Sequence, residues 1–238
     1  MAAGNFVPYK SFLFREARSE FDFLDDAIRA ILLDNAHTPD AANDRVYADV
    51  SADECNDGDY AAQTLATKTI TQDGSDRTVF DAGDVDYGAA VTIEARYIAL
   101  HSNDSTFSVR NTRYAWTVSG SGTSEYYLRT SGSADPDLPE PTSVKENGSA
   151  MTGGTVGTLT AGQWDYGDND SLGYSTIYVR LTDSTDPDGK ALDYVEAVCK
   201  WLMGYMDLNS GGAANISSVG GDFKVNWHAS GIVRKTTV

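Results

Sequence analysis

Residues 91–100 read Val91-Thr92-Ile93-Glu94-Ala95-Arg96-Tyr97-Ile98-Ala99-Leu100. Val91, Ile93, Ala95, Tyr97 and Ala99 fall on one face while Thr92, Glu94 and Arg96 fall on the other, the period of two that marks a half-buried strand. Working outward, residues 27–33 read as a buried strand closed by the turn-forming DNAHTPDAAND. Residues 64–70 and 78–81 read as strands flanking Gln72-Asp73-Gly74-Ser75, a hairpin signal. Nearer the start, Tyr9, Phe12, Leu13 and Ala17 recur at helical spacing and predict a single short helix. Toward the end, residues 198–206 form an apolar run around Trp201 and Tyr205. Phe223, Val225 and Trp227 alternate with Lys224 and Asn226 as a terminal strand.

Composition points the same way. Gly 22, Tyr 13 and 43 Ser plus Thr favour turns and strands, while the helix builders Leu, Lys and Glu are scarce. Neither end of the chain holds enough alternating strands to close a core alone, so the strand at 223–227 is expected to pair with strands of the first hundred residues. The expected fold is mainly β, with a β-sandwich-like base domain carrying one short N-terminal helix. Between residues 106 and 193 the chain turns dense in Gly, Ser, Asp and Pro, which reads as an inserted small β module with strands at 114–118, 125–129 and 176–181. The base would then comprise residues 1–105 and 194–238.

Charge limits the partners. Eighteen Lys plus Arg against 35 Asp plus Glu leave −17 over 238 residues, with a pI near 4.3. A phosphate-tracking surface is hard to build from that balance, so nucleic acid is not an expected partner. No apolar run approaches the roughly 18 residues that span a bilayer, so no membrane partner is expected. The opening MAAGNFVPYK lacks a basic start followed by an apolar stretch, which argues against a cleaved secretion signal. The net charge is −12 in 1–105, −6 in 106–193 and +1 in 194–238, so the tail with Arg234 and Lys235 is the basic piece.

Little in the sequence points to catalysis. GxSxG, GxGxxG, P-loop, HExxH and CxxC patterns do not occur. His37, His101 and His228 are scattered, and Cys55 and Cys199 read as buried or unpaired thiols. No catalytic residue, cofactor or metal is assigned. Asp168-Asn169-Asp170 and Asp186-Pro187-Asp188-Gly189 have the oxygen density that calcium prefers without EF-hand spacing, and read as Asx-type turns. In the insert, Trp116, Tyr126, Tyr127, Trp164, Tyr166, Tyr174 and Tyr178 read as the packing of a small module, with sugar stacking or a protein interface as the other reading.

The stretch ADVSADECNDGDYAAQTLATKTITQDGSDRTVFDAGDVDYGAAVTIEARYIAL (48–100) and the ending GGDFKVNWHASGIV (220–233) resemble a family of small structural proteins of tailed bacteriophages. The spaced elements are Tyr60 with Gln63-Thr64-Leu65 and Lys68-Thr69, then Phe80-Asp81-Ala82 with Asp84-Val85, then Thr92-Ile93 with Ala95-Arg96-Tyr97, and finally Phe223, Val225 and Trp227 with Gly231-Ile232. Tyr87 stands where that family often has Trp. Residues 126–144 and 161–189 resemble a second phage-virion module. The resemblance implies a non-enzymatic virion component made in the host bacterial cytoplasm. With the acidic, compact composition, the expected role is a capsid decoration or cement protein on the head exterior, contacting the major capsid protein and copies of itself as a trimer or other homo-oligomer. Arg234 and Lys235 are the expected interface residues, with Trp201 and Tyr205 joining them if exposed. A tail or fibre-base protein that attaches to host glycans is the alternative, and a glycan hydrolase built on an acid pair is the enzyme alternative.

Overall fold

A computed structural model describes residues 4–17, 21–73, 77–103, 105–108, 114–130, 138–210, 212, 214–227 and 231–236. The chain is mainly β, with 41% of residues in strands and 9% helical. It divides into two compact units, Met1–Ser105 with Lys200–Val238, and Thr106–Cys199. The return boundary therefore falls at 199/200, not at the expected 193/194. Val195–Cys199 accounts for the shift, because it pairs antiparallel with Ser143–Glu146, from Ser143 opposite Val198 to Glu146 opposite Val195.

The base unit is organised on a five-stranded sheet in the order Val7–Pro8, Leu202–Asp207, Tyr97–Ser102, Ile28–Leu33, Gln63–Thr64. Ile28, Ala30–Leu33 and Ile98–Ser102 are buried, so the buried strand expected at 27–33 is an inner one, and Tyr97–Ser102, expected as half-buried, is buried beside it from Ile98 onward. The strand expected over residues 91–100 is two strands in different sheets. Val91–Ala95 keeps the expected alternation of burial and pairs with Ile216–Gly221, whereas Tyr97–Ser102 joins the five-stranded sheet. Arg96 is the corner. Its N–H donates to the Leu33 carbonyl, its own carbonyl accepts from Leu208 N–H, and its guanidinium grips Asp207 through Nε at 2.8 Å and Nη2 at 2.7 Å. The outer edge of Val91–Ala95 is closed by carboxylates, since Asp59 accepts from Thr92 N–H and Asp57 from Glu94 N–H. Side-chain acceptors there occupy donors that another strand would otherwise use.

Two smaller pairings bring the chain's last residues onto its first hundred. Thr69–Asp73 and Arg77–Asp81 form the expected hairpin, and Val233–Thr236 adds to its other side. The first of these strands starts later than expected, because Thr67 adopts a left-handed φ of 51° that interrupts the run after Gln63–Thr64. The terminal strand expected over 223–227 is only Lys224–Val225, paired with Val85–Asp86.

There are two helices in the described residues, where one was expected. Lys10–Ala17 buries Phe12 and Arg15, following Tyr9 at three-residue intervals, while Leu13 stays about half exposed at 48%. Phe12 meets Phe21 and Phe23 edge-on at 5.1 and 5.9 Å. Tyr47–Val50 is a single turn whose Asp49 reaches back to accept from Arg45 and Val46 N–H, satisfying donors at its start.

The inserted unit holds a sheet in the order Tyr114–Val118, Tyr126–Thr130, Thr176–Arg180, Gln163–Gly167, Thr152–Gly153, and a second with Ser149–Ala150, Ser143–Glu146, Val195–Cys199 and Ser105–Ser108. The strand expected from residue 125 begins one residue later. Glu125 is fully buried, and its carboxylate accepts from Gly157 N–H at 2.8 Å and Leu159 N–H at 3.2 Å.

Candidate functional site

The four expected interface residues have different fates. Trp201 is a correction: it is 1% exposed, forms a bridge with Val46, and lies under the Arg15 guanidinium at 4.2 Å. Its position between Lys200 and the inner strand Leu202–Asp207 forces the indole into the base core. Tyr205 is half-buried in that strand, opposite Ala99 on one side and Val7 on the other. Its ring packs against Tyr9 at 5.5 Å and Tyr97 at 6.1 Å, and burial pushes its hydroxyl pKa up. Arg234 and Lys235 lie on Val233–Thr236, their backbones opposite Val79 and Thr78, and their side chains lie outside the described residues. Of the two whose side chains are described, Trp201 is therefore buried in the core and Tyr205 is half-buried among other tyrosines.

A site that sequence reasoning missed lies on the base sheet. Arg29, Ile31, Tyr47, Glu54, Ala62, His101, Asn103 and Lys200 enclose a pocket of about 200 Å³. Arg29 and His101 are opposite each other in the antiparallel ladder, so their side chains share a face. The short helix supplies Tyr47, whose N–H donates to the Lys200 carbonyl and whose ring lies on His101 at 4.8 Å, tilted by 34°. Glu54 is held by two phenols, accepting from Tyr47 Oη at 2.5 Å and Tyr60 Oη at 2.6 Å. Burial, then that carboxylate, pushes the Tyr47 pKa up to about 12, so its proton stays on at neutral pH.

His101 faces the Ser102 carbonyl through Nδ1 at 2.9 Å. A carbonyl only accepts, so Nδ1 carries the proton and Nε2 holds the lone pair. Burial, reinforced by Lys200 and Arg29, lowers its pKa from 6.5 to about 4. In the unfolded chain the ring titrates near its ordinary value, so between these two pH values the unfolded state binds more protons. Stability contributed by His101 is therefore complete above about pH 6.5 and is lost as pH falls toward 4, by up to about 3 kcal/mol. Chemical denaturation of parent and His101→Asn across this window checks it: the variant should show a flatter pH dependence, and parallel curves would refute the assignment.

Other expected sites resolve into structural roles. Asp168 accepts from Leu172 and Gly173 N–H, Asp170 from Ser119 Oγ and Gly120 N–H, Asp186 from Asp188 N–H and Asp188 from Trp116 N–H. These turns spend their carboxylates on backbone N–H groups and the Ser119 hydroxyl, and no group of metal ligands forms among the described residues. Trp116 and Tyr178 are buried, and Tyr126, Tyr127, Trp164, Tyr166 and Tyr174 are half-buried, consistent with packing within the module. Cys55 and Cys199 are buried and not joined to each other, and burial pushes the Cys55 pKa up to about 11, which suppresses its reactive thiolate. His37 sits in a turn between Asp53, at 3.0 Å, and Asp44, at 3.5 Å, while His228 lies outside the described residues.

Comparison of the chain with protein-family models, with curated proteins and with solved structures found no match.

Proposed function

We propose that this chain is a non-enzymatic structural component of a tailed-phage particle, a capsid decoration protein lying on the outer head against the major capsid protein and copies of itself. The observation that carries this reading is how the two resembling segments meet. Tyr87, at the position where the family often has Trp, stacks on Tyr60 at 5.9 Å and meets Phe223 edge-on at 5.8 Å. Its hydroxyl donates to the Ala30 carbonyl at 3.2 Å. Trp227 donates through N–H to Asp84 and through Nε1 to the Gly83 carbonyl. Gly231 takes φ +85°, and a Cβ there would collide with Val79 and lie 2.9 Å from the Phe80 carbonyl oxygen, so the Gly-Ile pair answers a steric demand.

Tyr60, Asp84, Tyr87, Phe223, Trp227 and Gly231, all from the two resembling segments, therefore belong to one packed framework, which supports treating those segments as a single unit. Copies bound across subunit boundaries would stabilise a shell by mass action, because they bind the assembled state and not separated subunits. Particles prepared without the chain should release DNA at a lower temperature than complete particles, and adding the purified chain back should restore the difference. Equal release temperatures would reject the decoration role.

A further inference from the structure

The pocket on the base sheet has chemistry that a packing role does not use. In a chain of net charge −17, it gathers two cations, Arg29 and Lys200, beside one carboxylate and a neutral imidazole. The carboxylate offsets only one of them, and it makes its hydrogen bonds to the Tyr47 and Tyr60 hydroxyls, not to either cation. Arg29 donates through Nη2 to the Ala62 carbonyl at 2.8 Å and has no carboxylate partner among the described residues. Lys200 approaches the Tyr47 ring at 5.2 Å and likewise has none. Both cations also contribute to lowering the His101 pKa, which places their fields on the same small volume.

We propose that this pocket binds a small organic monocarboxylate bearing a hydroxyl group. Two cations and one carboxylate leave a net charge of +1, which one carboxylate balances; phosphate near neutral pH, at roughly −1.5 to −2, exceeds it and meets Glu54. The guanidinium supplies the planar donor edge that suits carboxylate, and the ammonium supplies a point charge. Ala62 offers an apolar wall for a short carbon skeleton. The His101 Nε2 lone pair accepts the hydroxyl proton and the Asn103 amide N–H donates to the hydroxyl oxygen, which favours a hydroxy acid over the plain acid. A volume of about 200 Å³ lies below the roughly 300–1,000 Å³ of sites for larger ligands, so the ligand has few heavy atoms.

The test uses the full chain at pH 7.5 with lactate, acetate and inorganic phosphate as probes, each against sodium chloride of equal ionic strength, read on the His101 ring protons by NMR. Lactate is expected to shift these signals saturably and to bind more tightly than acetate, with phosphate weakest. Lys200→Gln should weaken lactate binding about tenfold, the loss of one hydrogen bond to a charged group, with its melting temperature unchanged. Asn103→Ala should reduce the preference for lactate over acetate, since the His101 Nε2 acceptor remains. A parent chain whose His101 signals respond to lactate as they do to chloride would overturn the proposal, as would phosphate binding more tightly than lactate. Undiminished lactate binding by a folded Lys200→Gln variant would also overturn it. This site stands independently of the particle role.

Discussion

Deleting residues 220–238 should abolish cooperative unfolding of the base unit. The deleted stretch contributes Phe223, Val225 and Ile232, all buried at 5–8% exposure, and each such side chain is worth about 1.5–3 kcal/mol of burial. It also removes the strand partners of Val85–Asp86 and Arg77–Asp81. The edge-on ring against Tyr87 goes with it, exposing a phenol that burial now holds protonated well above its usual range. The apolar term alone reaches roughly 5–9 kcal/mol, comparable with the whole stability of an ordinary domain, about 5–15 kcal/mol. Amide exchange reads the result directly: protection at Ile31 and Leu32, in the middle of the base sheet, should disappear. Retained protection at those two residues would mean that the tail merely lies on a core complete without it.

Trp201→Ala should destabilise the free chain by about 3–5 kcal/mol, the range for removing a large aromatic from a core. The indole is 1% exposed, and the cavity left behind would lie beneath Arg15, itself only 2% exposed. A guanidinium stacked at 4.2 Å on an aromatic face gains from the ring quadrupole most when desolvated, so the substitution strips a buried cation of that contact as well. Denaturant titration should show the midpoint falling, with a smaller loss for Trp201→Phe. An unchanged midpoint in the free chain would return Trp201 to the surface.

Local periodicity made several elements legible. The strand at Tyr114–Val118, the hairpin of Thr69–Asp73 with Arg77–Asp81, the first helix and the mainly β class all follow from nearest-neighbour pattern and turn chemistry. Patterns that tertiary contacts override were not legible. Residues 91–97 keep alternation straight across Arg96, and long-range contacts, the backbone bonds of Arg96 to Leu33 and Leu208 and its grip on Asp207, mark the corner where the chain passes between two sheets. The helix face was misjudged because Arg15, a polar letter, is buried through cation–aromatic contact while the apolar Leu13 is exposed. The pocket was hidden for a related reason: Arg29, Tyr47, Glu54, His101 and Lys200 share no spacing, and only the pairing of Arg29 opposite His101, together with the Tyr47 N–H to Lys200 carbonyl bond, assembles them. Two signals were available, the solitary Arg29 within an apolar strand and His101 ending another.

The position of the chain in an intact particle tests the central claim most directly. A cryo-electron microscopy map of particles carrying an epitope-tagged chain, labelled with the matching antibody fragment, reads it. The expected result is label in many copies over the outer head surface, bridging neighbouring capsid subunits. Label confined to the tail, or particles with none, would contradict the account.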